Sequence, residues 1–416
     1  PALRPGLEKL QGLRNAVARE MGHSSFYGLQ ISDYGMTVPE MMAMLDGFLK
    51  DIDPLYRQFH CFTRRRLAER YHQPIPKKIP AHWLDNRWSQ HWSGVVEGVD
   101  YDPLFKDRTP EWIVKQAESF YVSMGFPNLP PVFWEKSDLY PVPKGSGRKK
   151  NTHASAWPMN LNGDIRSLQS IEPNALWFST AHHELGHAYY YISYERPEVP
   201  ILLRAGANRG FHEGIGELIS IAAMQTPYLK QVGVMPADRN PDRIAVLLDE
   251  ALDATVPFLV WGAGTMSHWE HDLYEKNLPP SEWNRRWWEY VAKFQGVEPP
   301  APRGEEFCDP ATKTHINDDP GQYYDYAVAT VLKYQLHQHI AKKILKQDPR
   351  SCNYYGSRET GDFLRSILSK GATEDWRKVI RDATGSDLST KPMLDYFAPL
   401  LAYLEKENAG QQCGWE

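Results

Sequence analysis

Two histidines four residues apart, His183 and His187, are the residues of this chain best suited to chemistry. On an α-helix, positions i and i+4 lie on one face, so both imidazoles can reach one metal ion. Glu184 stands beside them without being a ligand, where it can accept a proton from water. Glu213 offers a carboxylate from a second predicted helix. Two histidines, one carboxylate and an open fourth position are typical of a catalytic zinc site. The pattern therefore predicts a zinc-dependent hydrolase of peptides with one Zn²⁺ per chain.

The alternative is a solvated or core helix that carries two histidines by chance. The sequence around them argues against that alternative. A mostly apolar stretch, 175–181, precedes the histidines and an aromatic run, 189–191, follows them, which predicts a buried helix. Gly186 leaves room for another element to approach closely. Glu217 lies four residues after Glu213, so one carboxylate can bind metal while the other holds a ligand histidine by its free N–H.

Composition argues against two classes of partner. The chain has 416 residues, 42% of them hydrophobic and 24% charged, a balance typical of a globular protein. Its formal net charge of -5 argues against nucleic acid as a partner. No run of 18 apolar residues occurs, so we expect no membrane-spanning helix.

The four cysteines, Cys61, Cys308, Cys352 and Cys413, contain no CxxC pair, which excludes a zinc knuckle of that type. Four cysteines allow three disulfide pairings. One of these includes a bridge between Cys308 and Cys352, which flank the helix-forming stretch 323–345.

Most of the sequence has apolar residues at helical spacing, interrupted by Pro or Gly, and predicts a mainly α protein. The predicted helices cover residues 3–21, 38–73, 110–124, 172–194, 211–224, 241–276, 280–295, 320–346, 358–370, 374–384 and 393–407. Segments 152–157 and 164–168 instead predict a β-hairpin, with Asn162-Gly163 as its turn. We predict a single large helical domain with this small sheet at the metal site.

Hydrolysis of a peptide bond also needs donors for the oxyanion that develops on the carbonyl. Lys313, His315, Tyr323 and Tyr326 offer suitable groups, and the two tyrosines lie one helical turn apart. A phenol can donate a hydrogen bond while it stays neutral at pH 7. Taken alone, tyrosines in such a pattern are more often core or surface aromatics than functional residues.

Several motifs, in one order along the chain, resemble those of the angiotensin-converting enzyme family of zinc peptidyl-dipeptidases. They are WSQHW at 88–92, HASAW at 153–157, HELGH at 183–187, GANRGFHE at 206–213, WWEYVAKFQG at 287–296 and STKPMLDYF at 389–397. The resemblance implies a bacterial-type homologue. It also implies the family fold, a mostly helical ellipsoid with a deep cleft, which agrees with the helical pattern.

The resemblance implies catalytic roles position by position. It gives His183, His187 and Glu213 as zinc ligands and Glu184 as the general base. His315 and Tyr326 would stabilise the tetrahedral intermediate, and His315 would help to protonate the leaving amine. Glu217 stands where the family usually has an aspartate. Its longer side chain would then hold a ligand histidine in the same way.

The resemblance also implies how a peptide is held. His153 would hydrogen-bond to the substrate backbone, and Ala154 would pair with it as an added strand. Gln90, Lys313 and Tyr323 would clamp the free C-terminal carboxylate of an oligopeptide. A clamp two residues beyond the zinc implies release of a C-terminal dipeptide.

The sequence departs from the family at three places. The arginines that bind chloride in activated members are replaced by Val291 and Asp325, so chloride is not expected as a cofactor. The helical lid that precedes the matched region is absent from residues 1–416, which we expect to be a catalytic domain; a separate N-terminal fragment of the same enzyme could be its partner. No cysteine lies close before Cys352, where the family often closes a short loop, so Cys308 becomes the candidate partner.

Family members are commonly secreted, periplasmic or anchored outside the cell, so the resemblance implies a secreted or periplasmic protein, although no signal peptide is recognisable in this chain. Two other functions stay open. A related helical zinc oligopeptidase or carboxypeptidase would share the metal site and recognise substrate ends differently. A catalytically silent peptide-binding homologue is the other, and the intact ligand set and Glu184 argue against it.

Overall fold

The computed structural model describes residues 1–90, 92 and 99–416, so His91 of the WSQHW motif lies outside the described residues. Most described residues are helical, which confirms the predicted mainly α class. The α-helices are α1 (Arg4–Glu20), α2 (Phe26–Ile31), α3 (Val38–Arg70), α4 (Pro110–Ser123), α5 (Pro131–Lys136), α6 (Ala175–Tyr194), α7 (Arg209–Ala223), α8 (Thr226–Gln231), α9 (Arg243–Pro257), α10 (Thr265–Tyr274), α11 (Trp283–Tyr290), α12 (Thr314–Asp318), α13 (Tyr324–His339), α14 (Arg358–Leu368), α15 (Trp376–Thr384) and α16 (Lys391–Glu407).

The remaining regular structure is short. The strands are β1 (Ile79–Pro80), β2 (Ser155–Pro158), β3 (Ile165–Leu168) and β4 (Val297–Glu298). Turns of 3-10 helix lie at Ser32–Tyr34, Ala81–Trp83, Asp102–Leu104, Ile201–Leu203, Pro280–Glu282, Pro310–Thr312 and Gly371–Thr373. Turns of π-helix lie at Phe258–Gly262, Val291–Gln295 and Ile340–Leu345. Within the described residues, no helix is long and apolar enough to cross a membrane.

The predicted helices are present, but the prediction of one continuous helix over residues 241–276 was wrong. The structure divides it into α9, a π-helical turn and α10. The break lies at Gly264, whose non-helical backbone (φ −92°, ψ −118°) only glycine allows, because a Cβ there would lie 1.8 Å from the carbonyl oxygen of Leu259. Apolar residues continue through the break, so periodicity alone does not reveal it. Helices α2, α5, α8 and α12 were not predicted, since five or six residues are too few to establish a period.

The chain divides into two compact units. Unit 1 comprises Pro1–Val99, Asp242–Val328 and Phe397–Glu416, and unit 2 comprises Asp100–Pro241 and Ala329–Tyr396. Each unit is therefore assembled from separated segments of sequence. The single domain expected from the sequence stays a prediction.

Unit 2 is built around the antiparallel crossing of α6 and α7. Asn174 and Asn208 cap the two helices, because the side chain of each accepts the backbone N–H three residues ahead. The helices meet at Gly186 and Gly216, where a Cβ on Gly186 would lie 2.9 Å from the Cα atom of Gly216. Glycine at both positions therefore lets the two backbones touch.

The predicted hairpin is confirmed, and its predicted two-residue turn was wrong. β2 and β3 pair antiparallel, from Ser155 opposite Leu168 to Pro158 opposite Ile165. Six residues, 159–164, connect them. The side chain of Asn160 accepts the N–H groups of residues 162 and 164, so this side chain organises the loop in place of an Asn-Gly turn.

In unit 1, α3 packs against the segment 411–416. A disulfide joins Cys61 of α3 to Cys413, while Cys308 and Cys352 are buried and are not part of a disulfide. The candidate bridge between Cys308 and Cys352, which the sequence left open, is therefore not the one that forms. Trp415 is buried beside this disulfide, and its ring centroid lies 4.6 Å from that of His60. Cys61 and Cys413 are 352 positions apart in sequence, so no local pattern could predict that they pair.

Candidate metal centre

The three predicted metal ligands come together in unit 2. His183 and His187 lie one turn apart on α6, and Glu213 lies on α7. The Nε2 atoms of the two histidines are 3.1 Å apart, and Nε2 of His183 is 3.6 Å from Oε2 of Glu213. Ligand atoms of the three side chains all fall within 4.8 Å of one another. The close crossing of α6 and α7 brings the carboxylate to the histidines.

The charges of the cluster favour a cation at its centre. Burial raises the pKa of Glu213, but its contact with His183 and the charge of His187 lower the pKa more, to about 2 overall. Burial lowers the pKa of His187 to about 4, helped by the charge of His183. Burial also lowers the pKa of His183, yet Glu213 and Glu184 raise it to about 9 overall. An ionised carboxylate thus faces two ring nitrogens that point towards each other.

This arrangement fits Zn²⁺. Two imidazole nitrogens and one carboxylate oxygen form the ligand set of many catalytic zinc sites. Ligands held tetrahedrally at about 2.1 Å from one ion lie about 3.4 Å apart. This lies between the 3.1 Å that separates the histidine nitrogens and the 3.6 Å from His183 to Glu213. Two nitrogen atoms that approach so closely need a proton or a metal ion between them.

Glu184 is a buried carboxyl group with unused hydrogen-bonding capacity. Its residue is 5% exposed, and within the described parts of the chain its Oε2 has no hydrogen-bond partner. Burial is the main cause that raises its pKa, to about 7, while the charge of His183 opposes the rise. Such a group can both accept and release a proton near neutral pH.

Two basic residues that the sequence analysis did not identify contact the carboxylates of Glu217 and Glu213. Lys333 of α13 donates to Oε2 of Glu217 over 2.7 Å. Arg209 lies 3.9 Å from Oε1 of Glu213, one helical turn away. The i, i+4 spacing of Arg209 and Glu213 could have been recognised in the sequence. Lys333 could not, because 116 residues separate it from Glu217.

The hairpin residues His153 and Ala154 precede β2 in unit 2. Nδ1 of His153 lies 2.9 Å from the carbonyl oxygen of Ala154. The hydroxyl group of Tyr191, on α6, donates to the carbonyl oxygen of Ala156 over 3.1 Å. Because Tyr191 lies one turn beyond His187, this contact places β2 along the helix that carries His183 and His187.

Unit 1 brings the other five predicted site residues together around Trp261. The ring of His315 stacks on that of Tyr323, with centroids 5.2 Å apart. The ring of Trp261 lies 5.9 Å from that of Tyr323 and 5.3 Å from that of Tyr326. The ammonium group of Lys313 lies 5.0 Å from the centre of Trp261 and donates to Oε1 of Gln90 over 2.8 Å.

Lys313 is a buried cation without a carboxylate partner among the described residues. It is 7% exposed, and burial lowers its pKa to about 8, so it is mostly protonated at neutral pH. Its ammonium group also lies 4.6 Å from the ring centre of Trp88. The nearby hydroxyl group of Tyr323 is buried and has no hydrogen-bond partner in the described chain. An anion that bound here would satisfy both groups.

Comparison with known proteins places the chain in a family. Residues 1–415 match the family described as angiotensin-converting enzyme, a peptidase family. The chain is 32% identical to the angiotensin-converting enzymes of Bos taurus and Rattus norvegicus, with 99% of this chain and 32% of each relative aligned. It is 35% identical to that of Theromyzon tessulatum over 86% of this chain and 60% of the relative. The chain thus spans about a third to three fifths of these relatives. It belongs to the angiotensin-converting enzyme family of peptidases.

Proposed function

We propose that the chain is a zinc metallopeptidase that releases dipeptides from the free C-terminus of oligopeptides. His183, His187 and Glu213 would hold Zn²⁺, which supplies Lewis-acid polarisation of the scissile carbonyl and a lowered pKa of water. Glu184 accepts the proton of the attacking water and passes it to the leaving nitrogen. Among the described residues, the buried Oε2 of Glu184 has no hydrogen-bond partner. Its position next to the proposed ligand His183 supports this role.

We assign the remaining roles to the residues that the family resemblance implies. Tyr326 and His315 donate hydrogen bonds to the oxyanion that develops on the carbonyl, and His315 helps to protonate the leaving amine. Gln90, Lys313 and Tyr323 bind the C-terminal carboxylate. The buried ammonium group of Lys313, for which the described residues supply no counter-ion, is the observation that carries exopeptidase specificity.

The test of this function is cleavage of a blocked tripeptide in two forms. The free-acid form should lose its C-terminal dipeptide when the protein carries one Zn²⁺ per chain, and the C-terminally amidated form should be cleaved about 100-fold less efficiently. Equal cleavage of both forms would instead favour an oligopeptidase. Binding of the free acid without any cleavage would favour a silent peptide-binding homologue.

Lys313→Met should raise KM for the free-acid tripeptide about 30-fold and leave KM for the amide within about 3-fold. Methionine keeps the apolar stem between Trp88 and Trp261 and removes only the charge. KM values of both peptides, measured by dipeptide release, decide the matter. Lys149→Met, at an exposed position, is the matched control. A parallel rise for acid and amide would remove Lys313 from the clamp.

We predict that chloride does not activate the enzyme. Asp325 is buried and accepts the hydroxyl hydrogen of Tyr34, and Val291, the other position, is apolar and buried. A second anion beside a buried carboxylate would be repelled. The rate in about 0.1 M chloride should equal, within about two-fold, the rate in gluconate of the same ionic strength. A several-fold increase in chloride would contradict this prediction.

We also propose a secreted or periplasmic location. The disulfide between Cys61 and Cys413 supports it, because such bonds persist in oxidising compartments. Immunodetection of the protein in culture medium and in periplasmic and cytoplasmic fractions would test the proposal.

A further inference from the structure

One buried lysine interrupts a long exposed segment that leads into the hairpin. Residues 143–153 are all exposed at the surface except Lys150, whose side chain is only 3% exposed. Lysine is rarely buried without partners, since its ammonium group is strongly hydrated. The position of Lys150 therefore calls for a physical reason.

Four oxygen atoms surround the ammonium group of Lys150. It donates to the carbonyl oxygen and Oδ1 of Asp138, both at 2.9 Å, and to the carbonyl oxygen of Tyr140 at 2.8 Å. The fourth acceptor is the carbonyl oxygen of Gln169, directly after β3. Burial lowers the pKa of Lys150, and the charge of Arg148 adds to this effect. The lysine thus binds its own segment to two other parts of unit 2.

The groups that Lys150 joins form one edge of the sheet. The N–H of Asp138 donates to the carbonyl of Ser167, and the N–H of Gln169 donates to the carbonyl of Asp138. The backbone around Asp138 therefore lies along β3 as a third short strand. β3 is fixed on that side and carries β2 on the other.

Lys150 also sets the position of the residues before β2. Only three residues separate it from Ala154, a distance of at most about 14 Å along an extended chain. Strand alternation directs the backbone groups of Ala154 and Ala156 to the side away from β3. The contact between Tyr191 and the carbonyl of Ala156 agrees with that direction. A peptide that added to this edge would meet Ala154 first.

We propose that Lys150 is a positioning residue for peptide binding, because it anchors the otherwise exposed segment that carries His153 and Ala154. The inference rests on the proposed function for its effect on substrate. The anchor itself is a property of the segment 143–154. Loss of the ammonium group leaves that segment tied only by β2 and by the ion pair between Arg148 and Asp138. The side chain of Arg148 is 56% exposed, and exposed ion pairs contribute little, so the backbone of the segment then samples positions that do not pair with a peptide.

The experiment compares Lys150→Met with Lys149→Met in the full-length, zinc-loaded chain. Methionine keeps most of the length of the lysine side chain but cannot donate a hydrogen bond, and residue 149 is exposed. In Lys150→Met, amide hydrogen exchange in residues 150–156 should become roughly 10-fold faster. KM for the blocked tripeptide should rise about 10-fold with kcat within about two-fold. Lys149→Met should match the parent protein in both measurements.

Asp138→Asn provides a second variant, since it removes the negative charge that Lys150 and Arg148 share and keeps the three carbonyls that accept from Lys150. It should shift exchange and KM in the same direction by a smaller factor. Unchanged exchange in Lys150→Met, or a fall in kcat with KM unaltered, would overturn the proposal. If the parent protein cleaves no blocked tripeptide, the proposed function fails, and the exchange rates still decide whether Lys150 is the anchor.

Discussion

Glu184→Gln should lower kcat for the blocked free-acid tripeptide by about 10⁴-fold while the protein retains one Zn²⁺ per chain. Glutamine has the shape of glutamate but cannot accept a proton at this position. The side chain is buried, so bulk water cannot replace it as a base in the same place. Because Glu184 is not one of the three clustered residues that we propose as ligands, its substitution leaves that cluster intact.

The measurement combines steady-state kinetics with zinc content determined by elemental analysis. Glu172→Gln is the matched control, because this glutamate is exposed and precedes the first residue of α6 by three positions. The control should keep kcat within about two-fold of the parent value. A Glu184→Gln variant that retains zinc and a kcat within about ten-fold of the parent would remove Glu184 from the mechanism. KM should change little, since the carboxylate acts mainly in the transition state.

The sequence predicted the parts of the site that depend on local spacing. His183 and His187 are fixed by helical geometry, and the second helix brings Glu213 because glycines allow α6 and α7 to touch. Predicted helix boundaries agree with the structure within a few residues where caps or prolines mark them, as at Thr37 before α3.

Pairings between distant residues could not be predicted in this way. Lys333 meets Glu217 only through the packing of α13 on α7, and Cys61 meets Cys413 only after the unit 1 segments assemble. The six-residue hairpin loop depends on the side chain of Asn160, which competes with the stronger Asn-Gly signal. The first two pairs are tertiary contacts that no local pattern contains. The loop is a local side-chain interaction that overrides the Asn-Gly signal.

Cys413→Ser should lower the free energy of unfolding by about 3 kcal/mol and Tm by several degrees. The disulfide links residues 352 positions apart in sequence, so its removal greatly increases the freedom of the unfolded chain. Thermal unfolding with and without reductant is the measurement. Reductant should lower Tm of the parent protein to that of the variant and leave the variant unchanged. Thiol titration under denaturing conditions should find two thiols in the parent protein, Cys308 and Cys352.

A second variant separates the disulfide from the contacts around it. Trp415 packs against His60 and lies 4.9 Å from the guanidinium carbon of Arg57, and Arg64 donates to the carbonyl of Gly414 over 2.7 Å. Trp415→Ala removes this packing and should cost about 3 kcal/mol with the disulfide intact. If the bond only restricts the unfolded chain, the losses of unfolding free energy in Cys413→Ser and Trp415→Ala add in the double variant. If the packing needs the bond to hold residues 411–416 in place, the double variant loses less than the sum, because neighbouring interactions are then coupled. An unchanged Tm in Cys413→Ser would contradict a stabilising role for the bond.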